Sequence, residues 1–525
     1  MESLFRRLDK EKLPPANARS SLDNRKFVPF SVLKKLITEE NVRIELARDE
    51  GQISRLVGWF NPPIAPTWVP VHAPKIFAAL VLMGRSQGIN NLLNENLTDE
   101  HLPLSRDPQD STTEFCESHD KSQFWLRGLG EGTVSKLVDE YQFIFQAPVL
   151  DTKGRLVSIS EQCPLPFVTS SVESRGGAGI VHKATIHPDH QIGFEAETDD
   201  RNVAVKEFLH KDDFEKEHRI LEQLEGLRHP NIIRHFASID RMNTRYGYII
   251  FPWVDGGNLQ EFWTTEPETS QARVLWALQQ MSGLTEALHL LHDRFNCRHG
   301  DIKPLNILCV KEVRTTRQCD PVLKIADFGI SSIHEWPTVY RKAATFATHL
   351  TPSYQGPEVE FEGLDKHSPR PRSRKYDIWS LGCVFLEFTL WLLYGPDAII
   401  KFAEARGASS SSREASPPMY EVTDKKAKVA VVHQLVTKTI KYLERDPRCE
   451  GDTALAALLD LIRGKMIKPK VDDRPWALEV VEGLNAIIAE ADEEKKGSGY
   501  LLRVCSGQDI APPNFEPFTG LDAGS

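Results

Sequence analysis

No Cys-x-x-Cys pair occurs in this chain, and its eight cysteines stand far apart at positions 116, 163, 297, 309, 319, 383, 449 and 505. That excludes a zinc-ligand framework and a small disulfide scaffold, and points to reduced thiols in an intracellular protein. Apolar runs are short. Ile76–Met83 and Cys383–Tyr394 are the longest, and the second carries Glu387, so neither reaches the roughly 20 apolar residues of a bilayer span. The opening residues MESLFRRLDKEKLPP have no apolar core of the kind a secretory leader needs. Positive charge is not in excess: 64 Lys and Arg against 74 Asp and Glu leave a net charge of −10. A bulk electrostatic footprint for nucleic acid or anionic lipid is therefore missing. These absences predict a cytoplasmic or nuclear protein with neither a nucleic-acid nor a membrane partner.

What is present suits a globular chain: 525 residues, 40% apolar and 26% charged, enough for roughly three folding units at about 150 residues each. Residues 1–150 carry helical spacing, in Val32, Leu33 and Leu36, then Val42, Ile44 and Leu46, then Ile53, Leu56 and Val57. The run IFAALVLMG predicts a buried helix, and 99–123 is polar and loop-like. A mainly helical accessory domain is expected there. From about 165 the text becomes strand-like (FVTSSVES, GIVHKATI, NVAVKEFL), and after Leu259 it becomes helical. Strands followed by helices predict an α+β fold of two lobes. Residues 403–426, with ASSSSREASPP, are expected to be a disordered insertion, and 490–525 a tail.

Ser174-Arg175-Gly176-Gly177-Ala178-Gly179 is by itself an ordinary hairpin turn. Between two strands, however, such glycines let backbone N–H groups approach phosphates. Lys206 sits in the apolar strand Val203-Ala204-Val205-Lys206, and an inward amine there needs a carboxylate or phosphate to offset desolvation. Glu217 shares a helix face with Leu221 and Leu224, eleven residues beyond Lys206. An acid on an apolar face is rare unless paired.

The densest signal is Arg298-His-Gly-Asp-Ile-Lys-Pro-Leu-Asn306, followed by Leu323-Lys-Ile-Ala-Asp327-Phe-Gly329. Asp301, Lys303 and Asn306 offer a base, a cation and a neutral oxygen ligand on one loop. Asp327 ends an apolar strand, where a carboxylate suits Mg²⁺. Any one of these would more often be a turn or cap residue; the ordered set is not coincidence.

From about 166 to 489 the chain resembles a eukaryotic-type protein kinase of the Ser/Thr kind. The resemblance implies a bilobal fold with an antiparallel β lobe (166–254) and a helical lobe (255–489), using ATP and Mg²⁺ on a protein substrate. It makes Lys206 the ATP anchor and Glu217 its helix partner. It makes Asp301 the catalytic base, Lys303 its companion, and Asn306 and Asp327 the metal ligands. Ser174, Gly176 and Gly179 would cover the phosphates. Val181, Ala204 and Leu308 would sandwich the adenine, and Phe251, Trp253 and Val254 would line the hinge. His299, Phe328 and Leu221 would stack between lobes, Glu358 would pair with Arg474, and Asp377 would brace the catalytic loop. Within the superfamily the chain resembles fungal kinase-domain proteins with a helical N-terminal region, where a regulatory partner would bind.

Departures from the pattern are Ser174 for the first loop Gly, Gly356 for Ala, and Gly300 for the Arg that usually pairs with a phosphorylated activation segment. Two other functions compete: a pseudokinase scaffold acting through residues 1–150, and a small-molecule phosphotransferase, which also uses HGDxxxxN. Lys206, Asp301, Asn306 and Asp327 together argue against the first. Lys303, the full Asp-Phe-Gly and Asp377 argue against the second.

Overall fold

A computed structural model describes residues 2–13, 22–49, 65–106, 114–176, 179–194, 202–224, 226–311, 320–329, 332–333, 352–361, 372–407, 417–492, 499–503, 510–513 and 515. They form two compact units, Met1–Phe214 with His235–Trp253, and Glu215–Arg234 with Val254–Ser525.

The first unit has two cores. One is helical, and its centre is Pro74–Leu82, buried on every side from Ile76 to Leu82. The Asp99 carboxylate accepts the N–H groups of Lys75 (2.8 Å) and Ile76 (3.1 Å) at the start of that helix. Burial nonetheless pushes the Asp99 carboxyl up to about 6. The stretch 99–123, expected as loop, instead contributes to a small antiparallel sheet of β1 (Leu104–Ser105), β2 (Phe115–Ser118) and β3 (Gln123–Trp125). Cys116 opposite Phe124, both buried, supplies its apolar face, a contact too short to stand out among polar neighbours.

The second core lies under a six-stranded sheet. Besides β5 (Arg155–Ile159), β6 (Phe167–Gly176) and β7 (Gly179–Ile186), it holds β9 (Asn202–Phe208), β10 (Ala237–Arg241) and β11 (Gly247–Pro252). Their order is β5-β10-β11-β9-β7-β6, antiparallel except where β5 runs parallel to β10. Beside it, β4 (Leu150–Asp151) pairs with β8 (Gln191–Ile192). Ala184, Ile186, Val203, Val205, Ile239 and Ile250 pack together, following the period of two that strands impose.

Residues 1–150, expected as a separate accessory domain, share this unit with the sheet. The reason is a strap at 22–31. Asp23 forms a buried ion pair with Arg241 of β10 at 2.9 Å and accepts the Leu165 N–H at 3.1 Å. Leu22 N–H donates to Ser170 at 3.1 Å, and Phe30 stacks on His190 at 4.7 Å.

In the second unit, the helix Gln271–Arg294 is capped by the Ser270 hydroxyl, and Ser282 donates to Asn485 of the helix Ala477–Asp492 at 2.7 Å. The helix Lys375–Ala405 is 31 residues long. It is the one described helix long and apolar enough to cross a membrane, and 94% of its most apolar window is buried within the protein. An all-round apolar helix of this kind belongs to a core. Gly395, at φ +74°, turns the chain so that Pro396 fits. Of the stretch 403–426 expected to be disordered, 403–405 complete this helix, and β16 (Tyr420–Asp424) forms a hairpin with β17 (Val429–Val432). Residues 408–416 lie outside the described set. The expected tail also packs back in part: Tyr500 and Leu502 are buried, and the Tyr500 carbonyl accepts the Ala454 N–H at 2.9 Å.

Candidate active site

The acidic and amide groups of the second unit are brought together by two small sheets. Strand β12 (Cys297–Arg298) pairs with β15 (Ser332–Ile333), and β13 (Ile307–Val310) pairs with β14 (Val322–Ile325). The loop between β12 and β13 carries Asp301, Lys303 and Asn306, and Asp327 follows β14. Ala326 N–H donates to the Asn306 carbonyl at 2.9 Å, which ties the two segments.

Lys303 Nζ lies 2.9 Å from Asp301 Oδ2. Asn306 Nδ2 donates to the same oxygen at 3.0 Å and to the Asp301 carbonyl at 2.9 Å. Burial pushes the Asp301 carboxyl up, and Lys303 opposes that shift. Asp327 has φ +65° and accepts the Gly329 N–H at 3.2 Å. A non-glycine residue in that region is strained by about 1–3 kcal/mol and marks a position worth the strain.

Beneath the loop, Asp377 is fully buried. Its Oδ2 accepts the His299 N–H at 2.9 Å and meets His292 Nε2 at 2.8 Å, while Oδ1 accepts the Gly300 N–H at 2.8 Å. Burial alone would push this carboxyl up. The bonds and charge of His292, with His299 and the Gly300 N–H, outweigh burial and hold it below the usual range. His299 also meets the Ala326 carbonyl at 3.2 Å and the Phe328 ring at 5.3 Å. Sequence reasoning missed His292; its only signal was a histidine near the end of an apolar helix. Arg474 forms a two-pronged bridge to Glu358, 2.8 Å on each prong, as the sequence leads one to expect.

Glu217 is fully buried on the helix Lys211–Gln223, and Leu221 is buried on the same helix. The neighbouring Lys216 donates to the Gly329 carbonyl at 3.2 Å. Leu308 stands on β13, bridged to Asn258, and Val254 opens the second unit's main segment.

In the first unit, register aligns another set. Ser174 faces Val181, Val181 faces Lys206, and Lys206 faces Ile249; Ala204 faces both Lys183 and Phe251. Val181, Ala204, Lys206 and Phe251 therefore lie on the sheet face opposite Val203 and Val205. Lys183 Nζ sits 4.7 Å over the Trp253 ring. Gly176 pairs with Gly179 at the hairpin end, and a Cβ on Gly179 would lie 2.2 Å from the Glu207 carbonyl oxygen, so only glycine fits. Gly177 and Ala178 lie outside the described residues, as do Thr345, Thr348 and Thr351.

Comparison with known proteins agrees with this geometry. The protein kinase domain model matches residues 193–483, more than half of the chain. The chain is 33% identical over 172 residues to serine/threonine-protein kinase Nek2 of Homo sapiens, covering 31% of this chain and 34% of that one. It is 30% identical over 167 residues to a calcium/calmodulin-dependent protein kinase kinase of Caenorhabditis elegans, covering 32% and 27%. With mitogen-activated protein kinase 8 of Oryza sativa subsp. japonica it is 26% identical over 323 residues, covering 60% and 50%. It thus spans about a quarter to a half of the length of these relatives. Family model, α+β architecture and ordered motifs agree: the chain belongs to the protein kinase family.

Proposed function

We propose that this chain is an ATP-dependent Ser/Thr protein kinase that uses Mg²⁺. The observation that carries the reading is the Asp301 carboxylate, held through Oδ2 by both Lys303 (2.9 Å) and Asn306 (3.0 Å). That leaves Oδ1 to orient a substrate hydroxyl and take its proton. The hydroxyl oxygen bonds to the γ-phosphorus, the bond to the bridging β–γ oxygen breaks, and ADP departs. Lys303 offsets negative charge on the phosphoryl as it moves, which is where such transfers gain most. Burial raises the Asp301 carboxyl, the direction that makes a better base.

Asn306 and Asp327 are the residues that would hold Mg²⁺. Their donors are an amide oxygen and a carboxylate, a hard set with few protein ligands, which suits an ion that keeps phosphate and water in its shell. Bound there, the ion would neutralise charge on the ATP phosphates. Lys206, on the same sheet face as Val181 and Ala204, would anchor the nucleotide, with Glu217 as its carboxylate partner. The named relatives favour Ser and Thr over Tyr as acceptors.

The test is transfer from γ-labelled ATP by the full chain to a peptide library with Ser, Thr or Tyr as the only hydroxyl, with and without Mg²⁺. Mg²⁺-dependent label on Ser and Thr peptides is expected. Label on small alcohols alone would favour the phosphotransferase alternative, and no label with intact ATP binding would favour a scaffold.

A further inference from the structure

The six-stranded sheet of the first unit has two faces, and strand alternation assigns them. Val181, Ala204, Lys206 and Phe251 share the face that meets nucleotide in the kinase reading. Val203, Val205, Ile239 and Ile250 share the other. They pack there with Leu22, Phe143 and Leu165, all from the first 165 residues. The back of the sheet is thus covered by the N-terminal part of the chain.

That covered face also carries a polar row. It starts at Asp23 in the strap and runs through Arg241 of β10, Tyr248 of β11 and Glu207 of β9 to His182 of β7. Arg241 Nη2 meets Asp23 Oδ2 at 2.9 Å, the two side chains being 3% and 5% exposed. Nη1 donates to the carbonyls of Glu161 at 2.6 Å and Cys163 at 3.0 Å. One guanidinium therefore ties strap, β10 and the segment 161–163. Its carbon lies 5.9 Å from the centre of the Tyr248 ring. Burial pushes the Tyr248 hydroxyl up to about 12; Arg241 opposes that shift and Glu207 adds to it. Tyr248 faces Glu207 in register, and Glu207 Oε2 is 2.9 Å from His182 Nε2.

Stability alone does not call for such a row, because apolar side chains in place of a buried ion pair often serve as well or better. Its position suggests what it does. Glu207 is the chain neighbour of Lys206. Tyr248 adjoins Ile249, which faces Lys206 from β11, and His182 adjoins Val181, which faces Lys206 from β7. The three backbone positions that bracket Lys206 are held from behind by side chains that trace back to the strap. Because strands alternate, a shift of residues 182, 207 or 248 on one face moves 181, 206 or 249 on the other, and close-packed interiors transmit such shifts.

We propose that Arg241 is a positioning residue for nucleotide binding: held by Asp23, it sets the place of Lys206 through Tyr248 and Glu207, so that ATP affinity depends on the N-terminal strap. The proposal rests on the kinase reading, in which Lys206 anchors ATP. Arg241 lies on the opposite sheet face and acts only through the row.

The test measures the Kd of Mg-ATP by competition with a fluorescent nucleotide, and kcat and KM for ATP and for peptide, on the full chain. The variants are Arg241→Met, Arg241→Lys, Asp23→Asn combined with Arg241→Met, and Leu80→Ala, which opens a cavity in the helical core away from the row. Thermal melts establish that each folds. Arg241→Met should weaken Mg-ATP binding about tenfold and raise KM for ATP alike, with kcat and peptide KM within a few-fold of wild type. Arg241→Lys keeps a charge for Asp23 and should recover part of the loss. The double variant should match Arg241→Met within about twofold, because the two side chains act as one unit. Leu80→Ala should melt earlier yet bind Mg-ATP as wild type does, which separates positioning from lost stability. Unchanged affinity in Arg241→Met, or an equal loss in Leu80→Ala, would overturn the proposal. Should Arg241→Met fail to fold, Tyr248→Phe decides in its place: it removes one hydroxyl from the row, and unchanged Mg-ATP affinity would overturn the proposal equally. If affinity responds as expected but no peptide is phosphorylated, the positioning role stands and the kinase reading fails. If the wild type binds no nucleotide, both fail.

Discussion

The Asp377 carboxylate accepts the Gly300 N–H at 2.8 Å across 77 positions of chain, and its other oxygen takes His299 N–H and His292 Nε2. One fully buried side chain thereby fixes the backbone on which Asp301 stands. Asp377→Asn places an amide NH₂ against donors and strands at least one of them. The expected loss is on the order of 3 kcal/mol in stability, with a fall in kcat although the residue never meets substrate. Urea melts and transfer rates check this; an unchanged melt with unchanged kcat would contradict it.

A second prediction, on regulation, follows from Gly300. At φ +85° it occupies backbone space that costs an L side chain about 1–2 kcal/mol, and it offers no charge for a phosphate to offset. Phosphatase-treated protein is therefore expected to keep most of its transfer rate. Initial rates before and after treatment, with site occupancy followed by mass spectrometry, test this. A drop of roughly a hundredfold tracking one site in 331–348 would show that another residue does the work of the missing Arg.

His190 gives the first unit a pH-sensitive joint. Burial holds it down to about 4; Nδ1 faces the Ala147 and Pro148 carbonyls at 3.1 and 3.2 Å, and His187 and Asp189 are the charged neighbours. The folded value lies below the usual 6.5, so the unfolded chain binds the proton more readily. The contribution is fully present above pH 6.5 and is lost as pH falls toward 4. By about pH 4.5 the stability advantage of wild type over His190→Gln should shrink by about 2–3 kcal/mol relative to pH 7.5. Denaturant titrations at both pH values measure it, and a constant difference would show that His190 does not titrate in this range.

Much of the second unit's site was legible because its chemistry is written in consecutive letters. Asp301, Lys303 and Asn306 lie within six positions, and their mutual bonds need only one loop. The Glu358–Arg474 bridge and the Asp377 brace were readable as motifs despite their separation. The strap was not: Asp23 meets Arg241 218 positions away, and neither residue carries a local pattern. Arg406 was equally opaque, since it reaches Glu387 only because Gly395 bends the helix between them. The hairpin of β16 and β17 was hidden by the serine-rich residues before it, which dominated the composition of that window. Strand β5 was missed because only Ile159 of its five residues is buried, and its place in the sheet is set by pairing with the distant β10.

The account's central claim is that Asp301 takes the proton of the attacking hydroxyl. The most direct measurement compares wild type and Asp301→Asn for transfer from Mg-ATP to the best peptide, with nucleotide affinity measured on the same samples. Asparagine keeps the shape, and with it an oxygen for Lys303 and Asn306, but cannot accept a proton. Transfer should fall by about 10²–10⁴, with Mg-ATP Kd and melting temperature near those of wild type. A kcat for Asp301→Asn within a few-fold of wild type would contradict the account at its base.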